Sequence, residues 1–336
     1  IAAAAGVACP ETLVISRREI DAGAIELPDL SSGWVLQPAM GFAGAGTAPV
    51  ASRDQLVYLL HDPAAPRADL WKLTRLVVGD PLTVNGVVIG LDEVVVAHVA
   101  RQLTGIADCS GEPLGSCGNE WSIPVEQSMH AAVRRAAHAV GCELARRGYQ
   151  GAFGIDVVAT ASGEVVLIEI NPRITASFGM LNQLQRAHGF VPLIDVHESA
   201  FLDDVDAHRM RALARECYGG ADGELAPWSV AAASIVCYNT TPHAVVAAAD
   251  APQLLCAGVM QQAMSLDQAQ LGPNDALVIP QSSRRSVAPG AELVRIYAAQ
   301  QVAADSGCRA LTLDAARLVR DVRSMLDLQR SPAPDR

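Results

Sequence analysis

The chain has 336 residues, half of them hydrophobic, and a formal charge of −11. That length suits one large or two moderate globular domains, while the apolar runs are alanine-rich and stop short of the ~18 residues of a membrane span. The acidic balance argues against nucleic acid as a principal partner, and any anion site must be built locally and mostly from arginine, because Lys72 is the only lysine.

The chain begins at Ile1, and Ala2 to Ala5 lack the basic region and the length of a secretory signal, so the start reads as a truncation. The eight cysteines include no Cys-x-x-Cys pair, which argues against zinc and for a cytoplasmic protein with reduced, mostly buried thiols.

In chain order, residues 1 to 30 read as the end of a helix, a strand from Glu11 to Ser16, and an acidic connection. A strand at Trp34 to Gln37 precedes the glycine-rich loop Gly41-Phe-Ala-Gly-Ala-Gly-Thr47. Ser52 then caps a helix reaching about His61. Leu73 to Val78, Val84 to Ile89 and Val94 to Leu103 read as strands, with a turn at Gly79-Asp-Pro81. Pro124 to Arg147 is the clearest helix, with Met129, Val133, Ala136, Val140 and Leu144 along one face and Gly148 ending it. His130 and His138 on this helix read as surface histidines. Residues 176 to 202 read as helical, and Tyr218 to Pro227 as a linker. Strands near Ser229 to Tyr238 and Leu293 to Tyr297 and a helix from Leu313 to about Leu328 follow, before a disordered tail.

The segment from Phe153 to Arg173 reads as a β-hairpin turning at Ser162-Gly163. Symmetric pairing about that turn sets Asp156 opposite Glu169, with Cβ atoms about 5 Å apart. Strand alternation puts Val165, Leu167, Glu169 and Asn171 on one face and Val166, Ile168 and Ile170 on the other. Asp156, Glu169 and Asn171 then converge three oxygen ligands suited to Mg²⁺, a hard cation usually held by one or two carboxylates with phosphates and waters. Arg173 adds a fixed cation. Upstream, Gly41, Gly44 and Gly46 let backbone N–H groups approach a bound anion, although the loop is neither a P-loop nor a Rossmann turn.

Together these segments resemble the ATP-grasp superfamily, over roughly residues 1 to 205. The resemblance rests on Trp34-Val-Leu-Gln-Pro38 with the loop to Thr47, on Leu76-Val-Val-Gly-Asp-Pro-Leu-Thr-Val84, similar to the adenine-hinge strand, and on Asp156 with Glu169-Ile-Asn-Pro-Arg173. It implies an α/β (α+β) ATP-grasp fold with mixed sheets, a truncated N-terminal subdomain and a smaller C-terminal α+β region. The implied organisation is an N-terminal remnant (1–27), a small subdomain with the glycine loop (28–80), a subdomain with the metal site (81–217), a linker (218–227) and a C-terminal domain (228–330). It further implies ATP and Mg²⁺ (or Mn²⁺), with Asp156, Glu169 and Asn171 on the metal and Arg173 as the catalytic cation. Gln37, Gly41, Gly44, Gly46, Thr47, Arg75, Val77, Asp80 and Arg101 are the implied nucleotide contacts. Two positions depart from the family pattern. Gln37 stands where many members carry a phosphate-binding lysine, with Arg75 or Arg101 as alternative sources of charge, and Pro81 stands where a glutamate often holds the ribose, with Asp80 as its substitute.

The chemistry expected from the resemblance is transfer of the ATP γ-phosphoryl group to a substrate carboxylate, with ADP released, followed by attack of an amine. Small-molecule carboxylate and amine substrates are the expected partners, with a homo-oligomer as a further possibility. The run Asn171-Pro-Arg-Ile-Thr-Ala-Ser177 favours the amide- or peptide-forming branch. Thr175 and Ser177 are either substrate contacts or helix caps, and Arg284-Arg285 lies either in a closing loop or in a solvated one. A carboxyphosphate-forming enzyme of the biotin carboxylase or carbamoyl-phosphate type and an ATP-binding subunit without turnover stay open.

Overall fold

The computed structural model describes residues 1–331 except 40–43, 45, 63–67, 220–224, 248–250, 257, 264–270, 273–274 and 282–285. Gly41, Arg284 and Arg285 therefore lie outside the described residues, as does part of the expected linker.

The first sheet holds β1 (Thr12–Ser16), β2 (Trp34–Pro38), β3 (Ala48–Val50) and β4 (Leu70–Arg75) in the order β1-β4-β2-β3. The short helix α1 (Arg17–Asp21) follows β1 through a capping box between Ser16 and Glu19. Helix α2 (Arg53–His61) starts where expected, with Ser52 Oγ accepting from the Gln55 N–H at 3.2 Å. Leu56 and Leu60 of α2 bury against Ile15, Trp34, Leu36, Trp71 and Leu73. Period-2 alternation sends Gln37 and Lys72 to the opposite face.

The second sheet is built on β5 (Asp80–Gly90), β6 (Glu93–Val96), β7 (Ala100–Thr104), β8 (Ser116–Glu120), β9 (Gly151–Ala159) and β10 (Val165–Asn171). Helix α3 (Gln127–Arg146) crosses between β8 and β9, then α4 (Phe178–Ala187), α5 (Leu193–Ala200) and α6 (Val205–Tyr218) follow β10. The C-terminal third adds β11 (Ala233–Tyr238), β12 (Val245–Val246), β13 (Gln253–Cys256), β14 (Val259–Gln262), β15 (Ala276–Pro280), β16 (Glu292–Ala298), α7 (Leu313–Met325) and β17 (Gln329–Arg330). The order β10-β9-β5-β7-β8-β11-β16-β15-β13-β14, with β6 on β5, makes one continuous 11-stranded sheet. The join between its halves is β8–β11. Gly118 there has φ +119°, and a Cβ on it would lie 1.8 Å from the Ser234 carbonyl oxygen. Gly118→Ala combines left-handed strain with a backbone overlap and is expected to cost about 3 kcal/mol of stability, measured by denaturant unfolding; an unchanged midpoint would refute this role.

The fold class is as the sequence implied, but every described strand pairing is antiparallel, which corrects the expectation of mixed sheets. Other differences are local. The helix expected over 176 to 202 is broken, because Gly189 adopts φ +76° and Pro192 cannot donate to a continuing turn. The expected turn at Gly79-Asp-Pro81 gives way to the start of β5 at Asp80, with Pro81 opposite Val158, and the opening helical turn is a set of turns over residues 2–6. The buried line of α3 runs through His130, Val133, Ala137, Val140 and Leu144, with Ala137 in place of Ala136. His130 is accordingly fully buried, its Nε2 accepting from the Val99 N–H at 3.3 Å, so it is not a surface histidine. The described cysteines are unpaired thiols, of which Cys109, Cys117, Cys237 and Cys308 are buried.

Candidate functional site

The two faces of β5 separate structure from chemistry. Leu82, Val84 and Val88 pack with α3, while Thr83 and Asn85 face the other way, toward the side covered by α4 and α5. Register then sets Thr83 beside Asp156 and Asn85 beside Gly154 on β9. On β10 Glu169 pairs with Asp156 and Asn171 with Gly154, so polar residues of three strands form one patch.

The expected pairing of Asp156 with Glu169 is met, by a route the alternation did not anticipate. Val165, Val166 and Leu167 pair one residue out of step, and a bulge at Ile168 restores the register before Glu169. The bulge leaves Leu167 buried with Val157 in the α3 core and turns Glu169 to the opposite, exposed face. Leu167 and Glu169 therefore do not share a face, a correction of the simple alternation. Bulges near active sites commonly re-aim a side chain in this way.

Asn171 Nδ2 donates to Asp156 Oδ2 at 3.3 Å, and Arg173 Nη2 donates to Asn171 Oδ1 at 3.0 Å. Burial and then the Glu169 charge push the Asp156 carboxyl up from 3.8 to about 6, while Thr83, Arg173 and Asn171 pull it down. Two carboxylates held this close favour a bound cation, which removes the repulsion that protonation otherwise relieves. Among the described residues no group of three or more His, Cys, Asp and Glu side chains is arranged to hold a metal. Two carboxylates and an amide oxygen fit Mg²⁺ completed by phosphate and water, not an all-protein cage. Because the folded-state value lies above the ordinary one, stability from protonated Asp156 is full below about pH 4 and lost as pH rises through about 6. Asp156→Asn should therefore stabilise the metal-free protein by about 1–2 kcal/mol at pH 7.5 and by nothing at pH 4. Thermal unfolding at the two pH values checks this, and equal midpoints at pH 7.5 would contradict it.

The loop after β10 is tied to the same patch. Thr175 Oγ1 donates to Asn85 Oδ1 at 2.6 Å, Asn85 Nδ2 donates to Ser177 Oγ at 2.8 Å, and the Thr175 and Ser177 hydroxyls are 2.9 Å apart. Ser177 precedes α4 without making a side-chain cap, so both hydroxyls anchor the loop to β5. From the C-terminal half, Arg295 Nη1 donates to the Ala176 carbonyl at 3.1 Å while its Nη2 bridges both carboxylate oxygens of Glu292 at 2.8 and 3.0 Å. Asn85 and Arg295 were missed in the sequence. A polar residue inside the apolar run from Leu82 to Ile89 was the available signal for Asn85; Arg295 left none.

The expected nucleotide contacts fall into two groups. Gly44 and Gly46 have φ +80° and +73°, and Gly44 lies against Gly115 so closely that a Cβ would come within 2.9 Å of its Cα. Thr47 is buried, and among the described residues its Oγ1 has no hydrogen-bond partner, an orphaned donor where the glycine turn enters β3. Gln37 is half-buried on the non-core face of β2, and Val77 sits half-buried in the β4–β5 connection. Asp80 and Arg101 are not brought to the Asp156–Glu169–Asn171 patch. They pair with each other at 2.8 Å, and Arg101 also donates to the carbonyls of Ile123, Pro124 and Ser306. Its strand partner Leu82 lies on the α3 face. Arg75 pairs across from Trp34, on the core side of its sheet, beside Asp29. Neither arginine is placed to supply charge next to Gln37.

The sequence model of the ATP-grasp domain matches residues 3–177, and the chain belongs to the ATP-grasp family. No curated protein matches it in sequence. Among solved structures it is similar to carboxyaminoimidazole ribonucleotide synthase from Aspergillus clavatus, in complex with ATP (TM-score 0.53, 14% identity, 97% of this chain and 70% of that one). It is also similar to an L-amino acid ligase from Bacillus licheniformis (TM-score 0.52, 12% identity, 98% and 70%) and to biotin carboxylase from Campylobacter jejuni (TM-score 0.50, 14% identity, 97% and 64%). At these identities the likeness is one of fold. Among the described residues no helix is long and apolar enough to cross a membrane.

Proposed function

We propose that this chain is an ATP-dependent ligase that activates a substrate carboxylate as an acyl phosphate and joins it to an amine. The observation that carries this reading is the Asp156–Glu169–Asn171 patch with Arg173 hydrogen-bonded to it. A Mg²⁺ ion held there would neutralise charge on the ATP phosphates. The Thr47 hydroxyl, unpartnered among the described residues, is the group of the glycine turn offered to the same phosphates, with Gly44 allowing close backbone approach. The Thr47 N–H instead donates to the Gly44 carbonyl at 2.9 Å, and the Gly46 N–H to the Glu112 carboxylate. A carboxylate oxygen of the substrate attacks the γ-phosphorus, and the bond to the β-γ bridging oxygen breaks to release ADP. Arg173 is suited to this step, because a guanidinium fork matches carboxylate and phosphoryl oxygens. The amine nitrogen then attacks the acyl carbon, inorganic phosphate leaves, and an amide or peptide bond remains. The partners on this reading are a small-molecule carboxylate and an amine in the cytoplasm.

The test incubates the chain with Mg·ATP, hydroxylamine and pools of amino and organic acids, following ADP, AMP and hydroxamate. ADP formed together with a hydroxamate is the expected result. AMP formation, or ADP that depends only on bicarbonate, would contradict the carboxylate–amine assignment.

A further inference from the structure

The only lysine of the chain stands directly across a strand ladder from the position where the family's phosphate-binding lysine is replaced. Gln37 of β2 pairs with Lys72 of β4. Both are half-buried while their neighbours Leu36, Trp71 and Leu73 are fully buried in the core of the small sheet, so Gln37 and Lys72 share the non-core face. Thr47, whose hydroxyl is unpartnered among the described residues, immediately precedes β3, whose Ala48 pairs with Leu36, and so adjoins the same end of the ladder. Directly opposed side chains have Cβ atoms about 5 Å apart, a gap that the four-carbon stem of lysine spans. Among the described residues the Lys72 side chain makes no hydrogen bond or ion pair, whereas Arg101 is committed to Asp80 and three carbonyls and Arg75 lies on the other face beside Asp29.

We propose that Lys72 supplies, from the neighbouring strand, the phosphate-contacting cation that Gln37 does not provide, with Gln37 left as an uncharged donor beside it. The inference rests on the ATP-binding reading and adds a residue to it. An exchange of this kind keeps the positive charge at the phosphates while moving its covalent root by one strand.

The sole-lysine composition makes the test site-specific. The full chain is titrated with Mg·ATP and with adenosine by calorimetry, for the wild type, Lys72→Gln, Lys72→Arg and the double variant Lys72→Gln/Gln37→Lys. Lys72→Gln should weaken Mg·ATP about tenfold to hundredfold, as expected for a lost charge-assisted bond, and leave adenosine unchanged. Lys72→Arg should retain most of the affinity, and Gln37→Lys should restore it to the Lys72→Gln background. In parallel, acylation of Lys72 in the wild type, followed by peptide mass spectrometry, should be slowed by Mg·ATP and not by adenosine. Wild-type binding of Mg·ATP with an unchanged affinity in Lys72→Gln, or an acylation rate that ATP does not alter, would overturn the inference while leaving the functional reading in place. Failure of the wild type to bind Mg·ATP at all would overturn both.

Discussion

Glu169→Ala should abolish Mg²⁺-dependent ATP turnover while leaving the fold intact or slightly more stable. The side chain is exposed at the bulge of β10, so its removal opens no cavity, and surface truncations of this kind ordinarily stay within about 0.5 kcal/mol. Its charge also opposes ionisation of Asp156, so the metal-free variant loses a repulsion. Activity responds in the opposite direction, because charge neutralisation at the phosphates carries most of the barrier lowering in phosphoryl transfer, and loss of one such group costs about 10²–10³ in rate. Steady-state ADP release and thermal unfolding, measured on the same sample, separate the two effects. A rate within a few-fold of wild type would remove Glu169 from the site.

The second large effect is expected at Gly154, where the loop carrying Arg173 folds down onto the sheet. A Cβ there would lie 2.7 Å from Thr175 Cγ2 and 2.9 Å from Asn85 Oδ1, which are parts of the hydrogen-bonded set holding residues 175 to 177. Gly154→Ala must push this loop away, and a displacement of about 1 Å at a positioning element can cost roughly 10²-fold in kcat. The stability cost should be about 1–3 kcal/mol, typical of overpacking. Adding Thr175→Ser to Gly154→Ala keeps the hydroxyl but deletes the methyl that the new Cβ meets, and should recover part of the activity. Full activity in Gly154→Ala would show that the loop position is immaterial, and no recovery in the double variant would assign the damage to Asn85 instead.

Much of this site was legible because its residues are close in sequence and follow strand periodicity. The facing of Asp156 and Glu169, the Ser52 cap and the long α3 helix all depend on local pattern. The bulge at Ile168 did not show, since one extra residue in a strand leaves no compositional trace, and it was needed to turn Glu169 away from the buried side of Leu167. Non-local partners were equally hidden. Nothing near Arg101 in sequence announces that its guanidinium meets Asp80 and the Ser306 carbonyl, 205 residues away, and nothing near Ala176 announces Arg295. The Gln37–Lys72 pairing belongs to the same class, because it needs the register of two strands separated by the glycine loop, β3 and α2. The C-terminal third read as a separate region by its linker composition, yet its strands extend the sheet that carries Asp156, Glu169 and Asn171.

The most direct test of the central claim, that Asp156, Glu169 and Asn171 hold the divalent ion of a bound nucleotide, is water-proton relaxation enhancement in a Mn²⁺·ATP titration of wild type and Glu169→Ala. The wild type should show a ternary enhancement that requires both Mn²⁺ and ATP, and Glu169→Ala should lose most of it at the same concentrations. An enhancement of equal size in the two proteins would place the metal elsewhere and contradict the account.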